Sequence, residues 1–317
     1  MPKVSVIIPV YRVEKYIERC ARSLFEQTLD NIEFIFVNDC TPDNSISVLE
    51  TTLRDYPNRK HQVRIINQPR NMGAAQARKD GILAATGEYV IQCDSDDWVD
   101  PNMYSDMLRQ AENLGADLVM CRKIYISDGE NHTIITDTIV ENKEQMISLI
   151  ITGKTSVSLW SRLVKKQLFL DKRFIYPLSH MKEDTVISTE LAYLSNKATF
   201  VEGPYYYYFC NPNSICLSTS EKACLKRFLD SKQNADILIK FLQQEKLIKQ
   251  YSSELNILKF QVKGFLLPLL KMNLKYWKEW KQTYPEINIS ILFNKNISFG
   301  LRIVHLLTLL RIYHLKK

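Results

Sequence analysis

Residues 4–25 read VSVIIPVYRVEKYIERCARSLF. The run Val4-Ser5-Val6-Ile7-Ile8 is short, apolar and β-branched, which fits a buried strand stopped by Pro9. Tyr16, Ile17, Cys20, Leu24 and Phe25 then recur at helical spacing up to Gln27. The alternation repeats downstream. Glu33–Val37 is a second apolar strand, and Asp43 or Asn44 can N-cap a helix that ends near Tyr56. Val63–Ile66 is a third strand, Gly73 to Ala85 an Ala-rich helix, and Gly87 leads into the strand Glu88-Tyr89-Val90-Ile91. Pro101 suits the first turn of another helix, which ends near Gly115 before Asp117-Leu118-Val119-Met120-Cys121. Apolar strands alternating with helices predict an α/β fold with a mostly parallel sheet covered on both faces. In such sheets ligands bind at the carboxyl ends of the strands.

From 125 to about 219 the pattern is mixed. Asp128-Gly129 reads as a hairpin turn, 143–152 as a short helix, and Glu183 to Leu194 as another. Beyond 220 the chain is helical and rich in Leu, Ile and Lys, with breaks at Gly264, Pro268 and Pro285. Its 317 residues allow one large domain with an appendage, or two domains. The apolar fraction of 45% and charged fraction of 24% exclude a disordered or fibrous chain. The opening MPKVSVIIPVY lacks the pattern of a secretory signal, and seven scattered cysteines without a CxxC pair fit reduced thiols. Both point to the cytoplasm. Charge is unevenly spread. Residues 1–219 carry 24 Lys and Arg against 28 Asp and Glu, whereas 220–317 carry 18 against 7. All of the excess positive charge therefore lies in the last third, which implies an anionic partner there.

The chemistry concentrates in QCDSDDWVD, residues 92–100. On an extended segment Asp94 and Asp96 point the same way, and hard oxygen donors at a strand end suit Mg²⁺ or Mn²⁺ beside phosphate oxygens. A solvated turn with a helix N-cap is the plainer reading, and it fits Asp100. Pro9-Val10-Tyr11 and Asn38-Asp39 end their strands on the same edge. Asp39 there can accept from a base imide N–H beside Tyr11, or serve as an ordinary turn residue. Around 68–79, Arg70 and Arg78 can neutralise a diphosphate and Gly73 can let backbone approach it. No GxxxxGK[ST] and no GxGxxG after a strand is present. Glu183 and Asp184 open a helix, where they can complement its dipole or provide a general base.

In combination, Pro9-Val10-Tyr11, Glu14, Asn38-Asp39 with Asp43, Arg70-Asn71-x-Gly73 with Arg78, Gly87-Glu88-Tyr89 and Asp94-Ser95-Asp96-Asp97 occur in order at the expected separations. The chain resembles a family-2 inverting glycosyltransferase of the GT-A fold, the Rossmann-like nucleotide-diphospho-sugar transferase fold. The resemblance is specific over 1–125. It is looser to 219, through Leu159–Leu163, Glu183-Asp184, Tyr205–Tyr208 and Asn213-Ser214-Ile215, and is silent over 220–317. It implies a domain 1–219, with a nucleotide-binding half 1–125 and an acceptor half 126–219, and a basic helical C-terminal region 220–317. It further implies that Asp39 holds the uracil of a UDP-sugar beside Tyr11, with Pro9, Val10, Glu14, Arg70, Gly73 and Arg78 also around the nucleotide. Asp94, Ser95, Asp96 and Asp97 would form the DxD-type site. Its metal ligands would be Asp96 first, then Asp94 and Asp97, on Mg²⁺ or Mn²⁺. Asp184 would be the catalytic base, with Glu183 its neighbour. Arg12 departs from a common Asn, Asn38 from a common Asp, and Cys210 from a frequent basic residue.

The implied reaction moves a sugar from a UDP-sugar to a glycan or lipid-linked glycan acceptor in surface polysaccharide biosynthesis. The alternatives are nucleotidyl transfer and a non-catalytic sugar-nucleotide-binding protein. The tail 297–317, ISFGLRIVHLLTLLRIYHLKK, is interrupted by Arg302, His305 and Arg311, so a spanning helix is not expected. On a helical projection Ser298, Arg302, His305 and Lys316 share one side and leave a wide Leu/Ile face. That pattern fits either a helix lying on the cytoplasmic membrane surface or one packed on the tail's own core, with 256–275 read the same way. Basic residues interleaved with Leu and Ile do not fit nucleic acid.

Overall fold

Strand β1 (Val4–Val10) runs through Pro9 rather than stopping at it. The register explains why. Pro9 lies opposite Val37 of β2 (Ile32–Asn38), while β4 (Tyr89–Gln92) on the other side pairs only as far as Ile7. The missing N–H therefore falls where one neighbouring strand has already left. The computed structural model describes residues 1–312 except 129–130, 139, 141, 178 and 212–217, and the side chain of Pro204 is likewise not described. Gly129, Asn213-Ser214-Ile215, Cys216 and Lys316 thus lie outside the described residues.

β3 (Val63–Asn67) completes a parallel set in the order β3-β2-β1-β4. The sheet then continues through β8 (Arg162–Lys165), β6 (Leu118–Ser127), β9 (Ala198–Phe209) and β5 (Trp98–Val99), with β7 (His132–Thr136) paired to β6. β8 is antiparallel to both β4 and β6, so the sheet is mostly rather than wholly parallel. β6 and β7 pair antiparallel, with Ser127 opposite His132, and the turn expected at 128–129 falls partly outside the described residues.

Side chains alternate across the sheet as a period of two requires. Val4, Val6, Ile8, Phe34 and Phe36 enter one core with α1 (Ile17–Phe25) and α4 (Met103–Leu114). Ile7, Ile35 and Val37 enter the other, with α3 (Ala74–Ala84), α5 (Lys143–Thr152) and α6 (Glu183–Leu194). α2 (Ser45–Arg54) lies against α1. Asp100, read as the residue that starts α4, instead accepts the Asn102 amide at 2.8 Å, and Asn102 holds the cap position. α3 sits close to β1 because residue 81 is glycine. A Cβ there would overlap Ile7 Cγ2 and lie 3.2 Å from Val37 Cγ2. Overpacking of this kind costs about 1–3 kcal/mol, more than the roughly 0.5 kcal/mol of helix propensity that Gly→Val returns. Gly81→Val should therefore lower the urea midpoint, and an unchanged midpoint would refute this account of the α3–sheet contact.

The last third forms α7 (Glu221–Gln244), α8 (Ser252–Gly264), α9 (Leu267–Met272), α10 (Tyr276–Gln282), α11 (Ile287–Ser290) and α12 (Phe299–Leu309). Phe228, Leu238 and Phe241 of α7 join the core beside α6. The segment 256–275 is two helices, α8 and α9, and Leu258, Val262, Leu266 and Leu269 bury it in that core. Lys263 is fully buried yet satisfied: its Nζ donates to Trp280 O at 2.5 Å, Thr283 O at 2.7 Å and Asn288 Oδ1 at 2.9 Å. Among the described residues no helix is long and apolar enough to cross a membrane.

Candidate active site

The carboxyl ends of β1, β2 and β4 meet the amino end of α6. β2 delivers Asp39, which is buried and accepts the Met72 amide at 2.5 Å and the Gly73 amide at 2.9 Å. Asp39 N–H donates in turn to Val10 O at 3.0 Å, so Pro9-Val10 and Asp39 move as one edge. Gly73 has φ +90°, and a Cβ there would meet His180 Nε2 at 2.7 Å. Glycine is required twice over, by the backbone and by the ring above it. Tyr11 is exposed, with the Arg12 guanidinium 5.4 Å from its ring centroid. Glu14 ties the loop after β1 to the loop after β2: it accepts the Asn44 amide at 3.0 Å, and its own N–H donates to Asp43 at 3.2 Å. Arg70 is exposed.

The acidic turn after β4 divides by alternation. Ser95 and Asp97 are buried, whereas Asp94 and Asp96 are partly open. Asp97 is turned inward, and its oxygens accept the Tyr206 hydroxyl at 2.6 Å and the Phe209 amide at 2.7 Å. Burial, reinforced by Asp94 and Asp96, pushes its carboxyl well above the usual range. Asp96 accepts from Asn211 Nδ2 at 3.0 Å, and its carbonyl accepts from Arg19, whose guanidinium lies 3.7 Å from the Trp98 ring centroid. Burial also raises Asp96.

Arg78 joins this turn to α6. Its Nη2 donates to Asp94 Oδ1 at 2.8 Å and its Nη1 to Glu183. Burial opposes the Arg78 charge, but Asp94, Glu183 and Asp184 together hold its pKa above the ordinary value. Burial pushes Glu183 up against the pull of Arg78. Asp184 accepts no hydrogen bond from any described residue, and burial raises it to about 6 although Arg78 attracts it. Arg162, buried on β8, donates to Ser158 O at 2.9 Å and Ser156 O at 2.5 Å and adds a second attraction to Asp184. An unpartnered carboxylate of that pKa, at a helix amino end, can take a proton at neutral pH.

Seven residues singled out in the sequence thus gather in one place: Asp39, Gly73, Arg78, Asp94, Asp96, Glu183 and Asp184. The support around them was less legible. Arg162, Tyr206 and Trp160 lay in quoted stretches without a role. Their signal is the alternation in Tyr205–Tyr208: Tyr206 and Tyr208 stack on Trp160, while Tyr207 stacks on Trp98 and Tyr125. The Tyr206 hydroxyl also accepts the Asp94 amide at 3.1 Å. Tyr206→Phe removes both contacts from a buried position and should cost about 1–3 kcal/mol. Turnover should fall further than the loss of folded protein explains. Equal thermal midpoints for variant and wild type would refute this.

The sequence profile described as glycosyl transferase family 2 matches residues 5–170. The chain is 31% identical over 263 residues to the protein named glycosyltransferase EpsH of Bacillus subtilis, covering 80% of this chain and 73% of that one. Among solved structures, Staphylococcus aureus TarS 1–349 in complex with UDP superposes with a TM-score of 0.69 at 18% identity, over 98% of this chain and 89% of that one. The mannosyltransferase PcManGT of Pyrobaculum calidifontis, in complex with GDP-Man and Mn²⁺, does so with a TM-score of 0.55 at 14% identity, over 100% and 88%. With the GT-A fold already established by the sheet and its flanking helices, the chain belongs to glycosyl transferase family 2 and is a glycosyltransferase.

Proposed function

We propose that the chain transfers a sugar from a UDP-sugar, with inversion at the anomeric carbon, to a glycan or lipid-linked glycan acceptor in surface polysaccharide assembly on the cytoplasmic side. The observation that carries this reading is the Asp184 carboxylate, which accepts no hydrogen bond from a described residue and feels the charges of Arg78 and Asp94 beside it. The acceptor hydroxyl gives its proton to Asp184, and its oxygen attacks the anomeric carbon. The bond to the diphosphate breaks with its electron pair leaving on UDP. TarS, crystallised with UDP, supports the choice of nucleotide. Nothing in the fold or the relatives favours nucleotidyl transfer or loss of catalysis.

Asp39 serves the base beside Tyr11, on the edge formed by Pro9 and Val10. Gly73 lets the loop backbone approach the diphosphate beside His180, with Arg70 at the rim. Glu14 acts by holding the two loops together. Arg78 and Ser95 shape the acidic turn. Among the described residues no three His, Cys, Asp or Glu side chains form a preassembled metal cluster. Two hard carboxylates still fit Mg²⁺ or Mn²⁺, which usually keeps waters and takes substrate phosphate oxygens. Asp96 and Asp94 would hold the ion, and Asp97, anchored by Tyr206 and Phe209, would position them. When bound, the ion would stabilise negative charge on the leaving diphosphate. In this reading 1–125 binds the nucleotide, 126–219 the acceptor, and 220–317 is the helical appendage.

A thermal-shift panel of nucleotide sugars with and without Mn²⁺ tests the donor. Stabilisation by UDP-sugars that deepens with Mn²⁺ is expected, and a response to GDP- or dTDP-sugars alone would overturn the uridine assignment. Retention of anomeric configuration in the product, read by NMR, would overturn inversion.

A further inference from the structure

We propose that α12 presents a docking surface for an anionic lipid bilayer, on which the protein rests peripherally. Phe299, Ile303, Leu306 and Leu310 follow one another at intervals of four, three and four, so they form one stripe along the helix. All four are exposed, Phe299 by 70% and Leu310 by 58%. The opposite side is already committed: Leu309 packs on the main core and His305 against the Phe260 and Trp280 rings. His305 Nε2 meets Asn288 O at 2.9 Å, and the Thr308 carbonyl accepts from Trp277 Nε1 at 2.9 Å. Both His305 and Thr308 are buried. A surface helix ordinarily hides its apolar residues, and here one apolar stripe is left outside. Rolling α12 to hide the stripe would break those bonds, so the apolar side is held outward.

Charge selects the occupant. Residues 287–312 hold Lys295, Arg302 and Arg311 and no Asp or Glu. A two-fold dimer through the stripe would set these cations against their own copies. An anionic headgroup layer satisfies both the cations and the apolar stripe, and an eleven-residue helix is suited to lie in that layer rather than cross it.

The inference stands apart from the sugar-transfer reading, because its test measures partition and not turnover. The full chain is sedimented with vesicles of phosphatidylcholine alone, or containing about a third phosphatidylglycerol. Pelleting is expected only with the anionic vesicles and should weaken at high salt. The double variant Leu306→Glu, Leu310→Glu should lose about tenfold in partition at an unchanged thermal midpoint. Phe299→Ser, at a fully separate exposed position, provides a milder second variant. Absence of pelleting with anionic vesicles, or equal pelleting of wild type and both variants, would overturn the proposal. So would a concentration-dependent dimer, seen by light scattering and abolished by the double variant, since the stripe would then belong to a second copy.

Discussion

Asp184→Asn is expected to lower transfer by about 10²–10⁴-fold, the usual worth of a positioned proton acceptor, while donor affinity is kept. The amide reproduces the shape of the carboxylate but cannot accept the proton. Because Asp184 accepts no hydrogen bond from a described residue, the change leaves no donor stranded. Wild-type turnover should fall as pH drops through about 6, where the carboxyl takes up its proton, and the residual activity of the variant should lack that limb. The stability effect has the opposite sign. The folded carboxyl titrates at about 6 against 3.8 as the ordinary value, so between those limits the folded state binds more protons than the unfolded one. Stability is then lost as pH rises through that window, and a permanently neutral Asn avoids the loss. At pH 8 the variant should melt higher than wild type while turning over far less. Unchanged turnover would remove Asp184 from the mechanism.

Arg78→Met should be the most destabilising single change at the site. It leaves Asp94 and Glu183 without their ion-pair partner and Asp184 without its largest attraction, in surroundings where such a loss costs about 3–5 kcal/mol. The cost should depend on pH. Without the cation, burial raises Glu183 and Asp184 still further above their unfolded values, so the deficit grows as pH rises and shrinks as they protonate. The gap in urea midpoint between wild type and variant should narrow from pH 8 to pH 5. Arg78→Lys should restore only part of it, because one ammonium cannot fork between two elements as a guanidinium does. An equal gap at both pH values would mean that packing, not charge, holds this junction.

The parallel half of the sheet was readable because strands buried on both faces leave continuous apolar runs, as in Val4–Ile8 and Glu33–Val37. Pro9 misled because proline stops a strand only where an N–H is needed, and that depends on which neighbour is still paired. Glu33 shows the same limit. It is the one charged residue of an apolar strand, and it is buried by accepting from Ser5 at 2.6 Å and from the Thr86 amide at 2.6 Å. The alternation of Asp94 and Asp96 against Ser95 and Asp97 was legible locally. That Asp97 would be held by Tyr206 and Phe209 was not, since those partners come from a strand more than a hundred residues later. The tail left two readings open, because periodicity tells only that two faces exist, and the Asn288 and Trp277 contacts decide which one is inside.

That late strand also sets an order of assembly. Trp98-Val99, directly after the acidic turn, pairs with Tyr206-Tyr207, and Asp97 draws both of its hydrogen bonds from the same strand. Contacts this distant in sequence form late, after the local strand–helix units have condensed. A chain still emerging from the ribosome can lay down β1 to β4 and yet lack the donors that fix its acidic turn. Competence for chemistry is therefore withheld until residue 209 has been made and docked, and a fragment of the first 125 residues should fold poorly around the very aspartates it carries.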